Sequence, residues 1–81
     1  NMAIEKILIV DDELIVREFL AETLRRKGIE VTAAADGKQA VKEVKEHTFD
    51  LVITDMRMPG MTGLEVVAKV KELSPSTVVV V

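Results

Sequence analysis

At 81 residues the chain has room for one small domain, and its 48% hydrophobic and 31% charged residues exclude a disordered or fibrous composition. Two phenylalanines are the only aromatics and the formal net charge is -3, which excludes a base-stacking platform and a basic footprint for direct nucleic-acid or membrane binding. With no cysteine and no apolar run of about 18 residues there is neither a disulfide frame nor a membrane span, so a cytoplasmic location is expected.

In chain order, Asn1 before Met2 reads as a tag remnant. Ile7 to Val10 is a continuous apolar run ending at two acids, the pattern of a parallel strand buried on both faces. From Leu14 to Lys27, Ile15, Phe19, Leu20 and Leu24 fall at helical spacing and predict the buried stripe of a helix that Gly28 stops. Ile29 to Ala35 reads as a second strand. Asp36 and Gln39 then have the spacing of a capping box for a helix to about Glu46, with Ala40, Val41 and Val44 inward. Leu51, Val52 and Ile53 make a third strand that ends at Asp55, followed by the turn-rich segment Met56 to Thr62 with Pro59 and Gly60. Thr62 and Glu65 offer a second capping box, for a helix carrying Leu64, Val67, Val70 and Leu73 and closed by Ser74 and Pro75. Val78 to Val81 reads as a fourth strand.

The order βαβαβαβ predicts an α/β fold with a parallel sheet and right-handed crossovers. Chemistry in such sheets gathers at the carboxyl ends of the strands, and here those ends carry Asp11, Asp12 and Asp55. If the first and third strands are neighbours, as in a 2-1-3-4-5 order, the three carboxylates converge. Like charges that close repel unless a cation lies between them. Oxygen donors without histidine or cysteine favour a hard ion, and Mg²⁺ is the expected one. Such an ion leaves positions open for a phosphoryl oxygen, and a carboxylate beside it can act as nucleophile and form an acyl phosphate. Asp55 is the candidate.

The segments ILIVDDE at 7–13 and LVITDMRMPGMTG at 51–63 resemble the receiver domains of bacterial two-component response regulators, chemotaxis-regulator-like in kind. The resemblance implies a flavodoxin-like sheet of order 2-1-3-4-5 and a Mg²⁺ ion held by Asp11, Asp12, Asp55 and the backbone carbonyl of Arg57. It also implies phosphorylation of Asp55 by a sensor histidine kinase, with Pro59 and Gly63 shaping the loop that follows. Such a domain signals rather than acting on a separate substrate, although family members catalyse their own phosphorylation and dephosphorylation. The wording of 55–65 is most similar to nitrogen-regulation type regulators, which implies an output module of ATPase plus DNA-binding domain and a role in transcription. The family fold has five βα units, so residues 1–81 are expected to be the N-terminal portion of one incomplete domain. The hydroxyl residue and the lysine expected further on lie outside this sequence.

Two rival readings accompany this one. A haloacid-dehalogenase-like phosphohydrolase also uses a nucleophilic aspartate with Mg²⁺, but it wants a second aspartate where Arg57 stands. A structural fragment would keep these residues idle, with the acid pair only capping the next helix. His47 is expected at a helix end without a catalytic role, and Met56, Met58 and Met61 as either a soft partner surface or a loop packed on the sheet. Glu22 with Arg26 and Glu65 with Lys69 have the spacing of surface ion pairs. Crossover handedness puts the first helix alone on one sheet face and the other two opposite, so the first face is undercovered and the fourth strand is an exposed edge for association or swapping.

Overall fold

The computed structural model describes residues 3–81, and the reading of Asn1 and Met2 as a tag remnant lies outside the described residues. Its elements are β1 (Lys6–Val10), α1 (Leu14–Arg25), β2 (Glu30–Ala34), α2 (Gly37–Glu46), β3 (Leu51–Thr54), α3 (Gly63–Leu73) and β4 (Val78–Val80). Every strand pairing is parallel and the order is β2-β1-β3-β4. This is the parallel α/β sheet expected from the alternation of strands and helices, in the flavodoxin-like order that the resemblance implies. β1 sits inside the sheet, which is why Ile7 to Val10 are all buried.

Side chains alternate across the sheet, so it carries two cores. Leu8, Val10 and Val52 point to one face, where Ala40 and Val44 of α2, Val66 and Val70 of α3, Phe49 and Met58 close over them. Ile7, Ile9 and Val31 point to the other, where Ala21 seals the contact with α1 and Leu20 and Leu24 pack around it. One helix against two is the predicted distribution. On the single-helix face Val78 and Val80 of β4 are about half exposed.

Helix ends follow their local chemistry. Asp36 accepts from the Gln39 N–H at 2.8 Å, but the Gln39 side chain returns to the Ala35 N–H at 3.0 Å, one residue before the expected box partner. Thr62 and Glu65 form the full reciprocal box, at 3.2 and 3.0 Å. At the end of α1, Gly28 has φ +85° and the Ile29 N–H turns back to the Leu24 carbonyl, a left-handed stop that glycine adopts without steric cost.

Two buried stripes differ from expectation. In α1, Ile15 and Phe19 are 84% and 69% exposed, while Leu20, Ala21 and Leu24 face the sheet. Ile15 and Leu24 are nine residues apart, about two and a half turns, and so lie on opposite sides of the helix. In α3 the inward residues are Gly63, Val66 and Val70, whereas Leu64 is 63% exposed. Glu22 and Arg26 do pair at 3.7 Å, but Glu65 is used in its cap and Lys69 reaches Glu72 instead, at 3.5 Å. Met58 is buried and Met61 packs against the same core, which favours the loop-packing role, although Met56 is exposed. His47 ends α2, its ring edge-on to Phe49 with 6.4 Å between centroids and its side chain largely exposed.

Candidate functional site

The register of the two central strands builds the site. Val10 of β1 lies opposite Thr54 of β3, so the next residue of each, Asp11 and Asp55, leaves the sheet at the same level. Backbone bonds carry the pairing one step beyond the strands: the Asp55 N–H donates to the Val10 carbonyl at 2.9 Å and the Asp11 N–H to the Ala34 carbonyl at 3.2 Å. Asp12 follows on the turn into α1. One carboxylate oxygen from each of Asp11, Asp12 and Asp55 lies within 4.8 Å of the other two. Asp11 and Asp55 are half-buried and Asp12 is exposed, so the group opens to solvent on one side.

Neighbouring contacts hold the Asp11 carboxylate and the backbone of Asp11 and Asp55 in place. The Oδ1 atom of Asp11 accepts from the Glu13 N–H at 2.8 Å, which fixes its side chain and orders the turn into α1. The capping role weighed for the acid pair is therefore partly real for Asp11, yet the N-cap position itself is Glu13, without a side-chain bond. Arg17 donates from Nη1 to the Asp11 backbone carbonyl at 2.7 Å. This half-buried arginine is not among the site residues expected from the sequence. The signal was available: a long side chain in the first turn of a helix leans toward the N-terminus and can reach the preceding loop.

On the β3 side, Thr54 is buried and its hydroxyl donates to the Asp55 carbonyl at 3.1 Å. The Gly63 N–H donates to the Met56 carbonyl at 2.8 Å. A Cβ on Gly63 would overlap the Asp55 carbonyl oxygen and lie 2.7 Å from the Met56 Cα, so only glycine lets α3 begin this close to the end of β3. Pro59 and Gly60 lie on the exposed outside of the same loop. Arg57, two residues after Asp55 in the same loop, is also exposed.

Chemically the cluster is a set of hard oxygen donors open to solvent, suited to a divalent cation of the Mg²⁺ type. Within it Asp55 stands at the tip of a central strand, where a carboxylate oxygen can meet a ligand entering from above the sheet edge.

A family model described as response regulator receiver domain matches residues 7–81. The chain is 39% identical over 77 residues to sporulation initiation phosphotransferase F of Bacillus subtilis, covering 95% of this chain and 62% of that protein. It is also 39% identical over 75 residues to the transcriptional regulatory protein ZraR of Escherichia coli, covering 93% of this chain and 17% of that protein. Among solved structures, the response regulator TrrA of Thermotoga maritima in complex with Mg²⁺ and BeF is similar with a TM-score of 0.87 at 39% identity, over 93% of this chain and 65% of that one. TrrA in complex with the histidine kinase ThkA is similar with a TM-score of 0.86 over the same shares. The chain thus spans less than two thirds of the length of these relatives.

Proposed function

We propose, from the premise that this chain belongs to the response regulator receiver domain family of two-component systems, that it is the N-terminal portion of a phosphoacceptor domain in which Asp55 takes up the phosphoryl group. One observation carries the reading: the carboxylates of Asp11, Asp12 and Asp55 meet within 4.8 Å. The domain signals, and the phosphoryl group is its message.

Asp11, Asp12 and Asp55, with the Arg57 backbone carbonyl, are the proposed ligands of a Mg²⁺ ion. When bound, Mg²⁺ supplies positive charge that offsets the negative charge of a phosphoryl donor and of the transferring group. Asp55 provides the nucleophile. Its carboxylate oxygen attacks phosphorus, the bond from phosphorus to the donor's nitrogen or oxygen breaks, and an acyl phosphate forms on the aspartate. Asp11 is held for this by the Glu13 N–H and, through its backbone, by Arg17. Arg57 stands two residues after the nucleophile, which disfavours a hydrolase of the haloacid-dehalogenase kind, because that chemistry needs an acid there.

The kinase partner is a sensor histidine kinase, a reading supported by the similarity to TrrA, which has been solved with the kinase ThkA. The similarity to the transcriptional regulatory protein ZraR supports an output module that regulates transcription, and the wording of 55–65 favours the nitrogen-regulation type. No helix among the described residues is long and apolar enough to cross a membrane.

Two measurements test the proposal. Titration of Mg²⁺ into the chain is expected to shift the amide resonances of residues 11, 12 and 55, and Asp12→Asn should weaken that response. Incubation of the complete receiver domain with acetyl phosphate should produce a Mg²⁺-dependent phosphoryl mass increment that Asp55→Asn abolishes. Undiminished labelling of the Asp55→Asn protein would overturn the assignment.

A further inference from the structure

We propose that the groove between α2 and α3 is a docking site for an acidic amphipathic helix of a partner protein. The groove has a volume of about 740 Å³ and lies away from the aspartate cluster. Val41 and Met61 contribute its apolar floor, and Lys38, Lys42, Lys45 and Lys69 stand around it. The chain as a whole carries a formal charge of -3, so gathering four of its cations here separates charge sharply from the remaining surface.

Three of these lysines are unused within the fold. Lys69 bonds Glu72 at 3.5 Å, but Lys38, Lys42 and Lys45 are exposed and take part in no ion pair among the described residues. The one acid of the groove, Asp36, has its Oδ1 committed to the Gln39 N–H. Three unpaired lysines against one acid leave an excess of positive charge above an apolar floor, which favours a ligand that brings both anions and hydrocarbon.

Spacing specifies the ligand further. Lys38, Lys42 and Lys45 stand at i, i+4 and i+7, one face of α2 that spans about 10 Å along the axis. A helix laid along the groove with acids at the same intervals would meet all three while its apolar stripe covers Val41 and Met61, the helix-in-groove mode of recognition. Nucleic acids fit less well, because no aromatic side chain lines the groove to stack a base, and a polyphosphate has no hydrocarbon to cover Val41 and Met61. A flat lipid surface would touch the lysine rim and leave the floor wet.

The probe is a fluorescein-labelled helical peptide with glutamates at i, i+4 and i+7 and leucines at i+3 and i+10, followed by fluorescence anisotropy against the 81-residue chain. Binding is expected to weaken with added salt. The double variant Lys38→Glu and Lys42→Glu, whose fold is checked by circular dichroism, should bind at least about tenfold more weakly through like-charge repulsion. A peptide with serine for both leucines should lose a similar factor. Unchanged affinity in either comparison, failure of the parent peptide to bind, or stronger binding to anionic vesicles than to the peptide would overturn the proposal. Asp55→Asn should bind the peptide normally, which separates this outcome from that of the phosphoacceptor reading.

Discussion

Gly63 joins the fold to the site at the level of single atoms. Its missing Cβ lets the start of α3 lie against the backbone of Asp55 and Met56, and backbone atoms there cannot move aside as a side-chain tip could. Gly63→Ala is therefore expected to cost about 1–3 kcal/mol, the range for overpacking a close contact, read as a lower urea midpoint. Asp50 acts at the opposite end of the same strand, where its Oδ2 accepts the N–H groups of Glu5 and Lys6, each at 2.9 Å. These two bonds hold its carboxyl below the ordinary value of 3.8. A carboxyl lowered in the folded state stabilises it above that ordinary value and loses the contribution as pH falls through the folded one. The difference in denaturation midpoint between the chain and Asp50→Ala should be constant at neutral pH and shrink below about pH 4. A difference that persists at the lowest pH would contradict the assignment of those bonds to the ionised form.

Among the elements, α3 has the most completely specified start and α1 the least. The Thr62 and Glu65 side chains satisfy two backbone N–H groups at the entry to α3, whereas Glu13 caps α1 without a side-chain bond. Removing the Thr62 hydroxyl in Thr62→Ala should cost about 1 kcal/mol, measured by denaturant unfolding. At its other end α3 is tied down by Lys71, whose Nζ bonds the Pro75 and Thr77 carbonyls, and by the buried Thr77 hydroxyl on the Phe49 carbonyl. The capping signals were legible because they are local: a serine-, threonine- or aspartate-type cap and its partner lie three residues apart in one chain. The buried stripes were less legible. α1 has apolar residues on two opposite sides, and periodicity alone does not say which side meets the sheet.

At the scale of the molecule, the two faces of the sheet are unequally covered. Val78 and Val80 of β4 are exposed on the face that α1 partly shields, where Ile15 and Phe19 are exposed on the far side of the helix, and among the described residues β4 pairs with β3 alone. An apolar edge strand of this kind templates pairing with another chain. The chain is expected to self-associate with rising concentration in sedimentation equilibrium. Val78→Lys should shift it toward monomer while changing stability by no more than about 0.5 kcal/mol, as for other exposed positions. A mass independent of concentration would contradict this.

The strands, the helices, their caps and the identity of the three acids were determined by the sequence, because each depends on residues close together along the chain. A parallel α/β sheet was also reachable, since strands joined by helices leave few right-handed topologies, and the resemblance narrowed these to the flavodoxin-like order. The neighbourhood of β1 and β3 was implied by the family resemblance, but only the tertiary structure decided the register Val10 to Thr54 and the distance within which one oxygen of each of Asp11, Asp12 and Asp55 meets the others. It likewise decided that Arg17 holds the Asp11 carbonyl and that α2 and α3 enclose a lysine-lined groove. The reason is physical: these contacts join residues far apart in the chain, and their geometry is set by how helices seat on a twisted sheet rather than by any local preference.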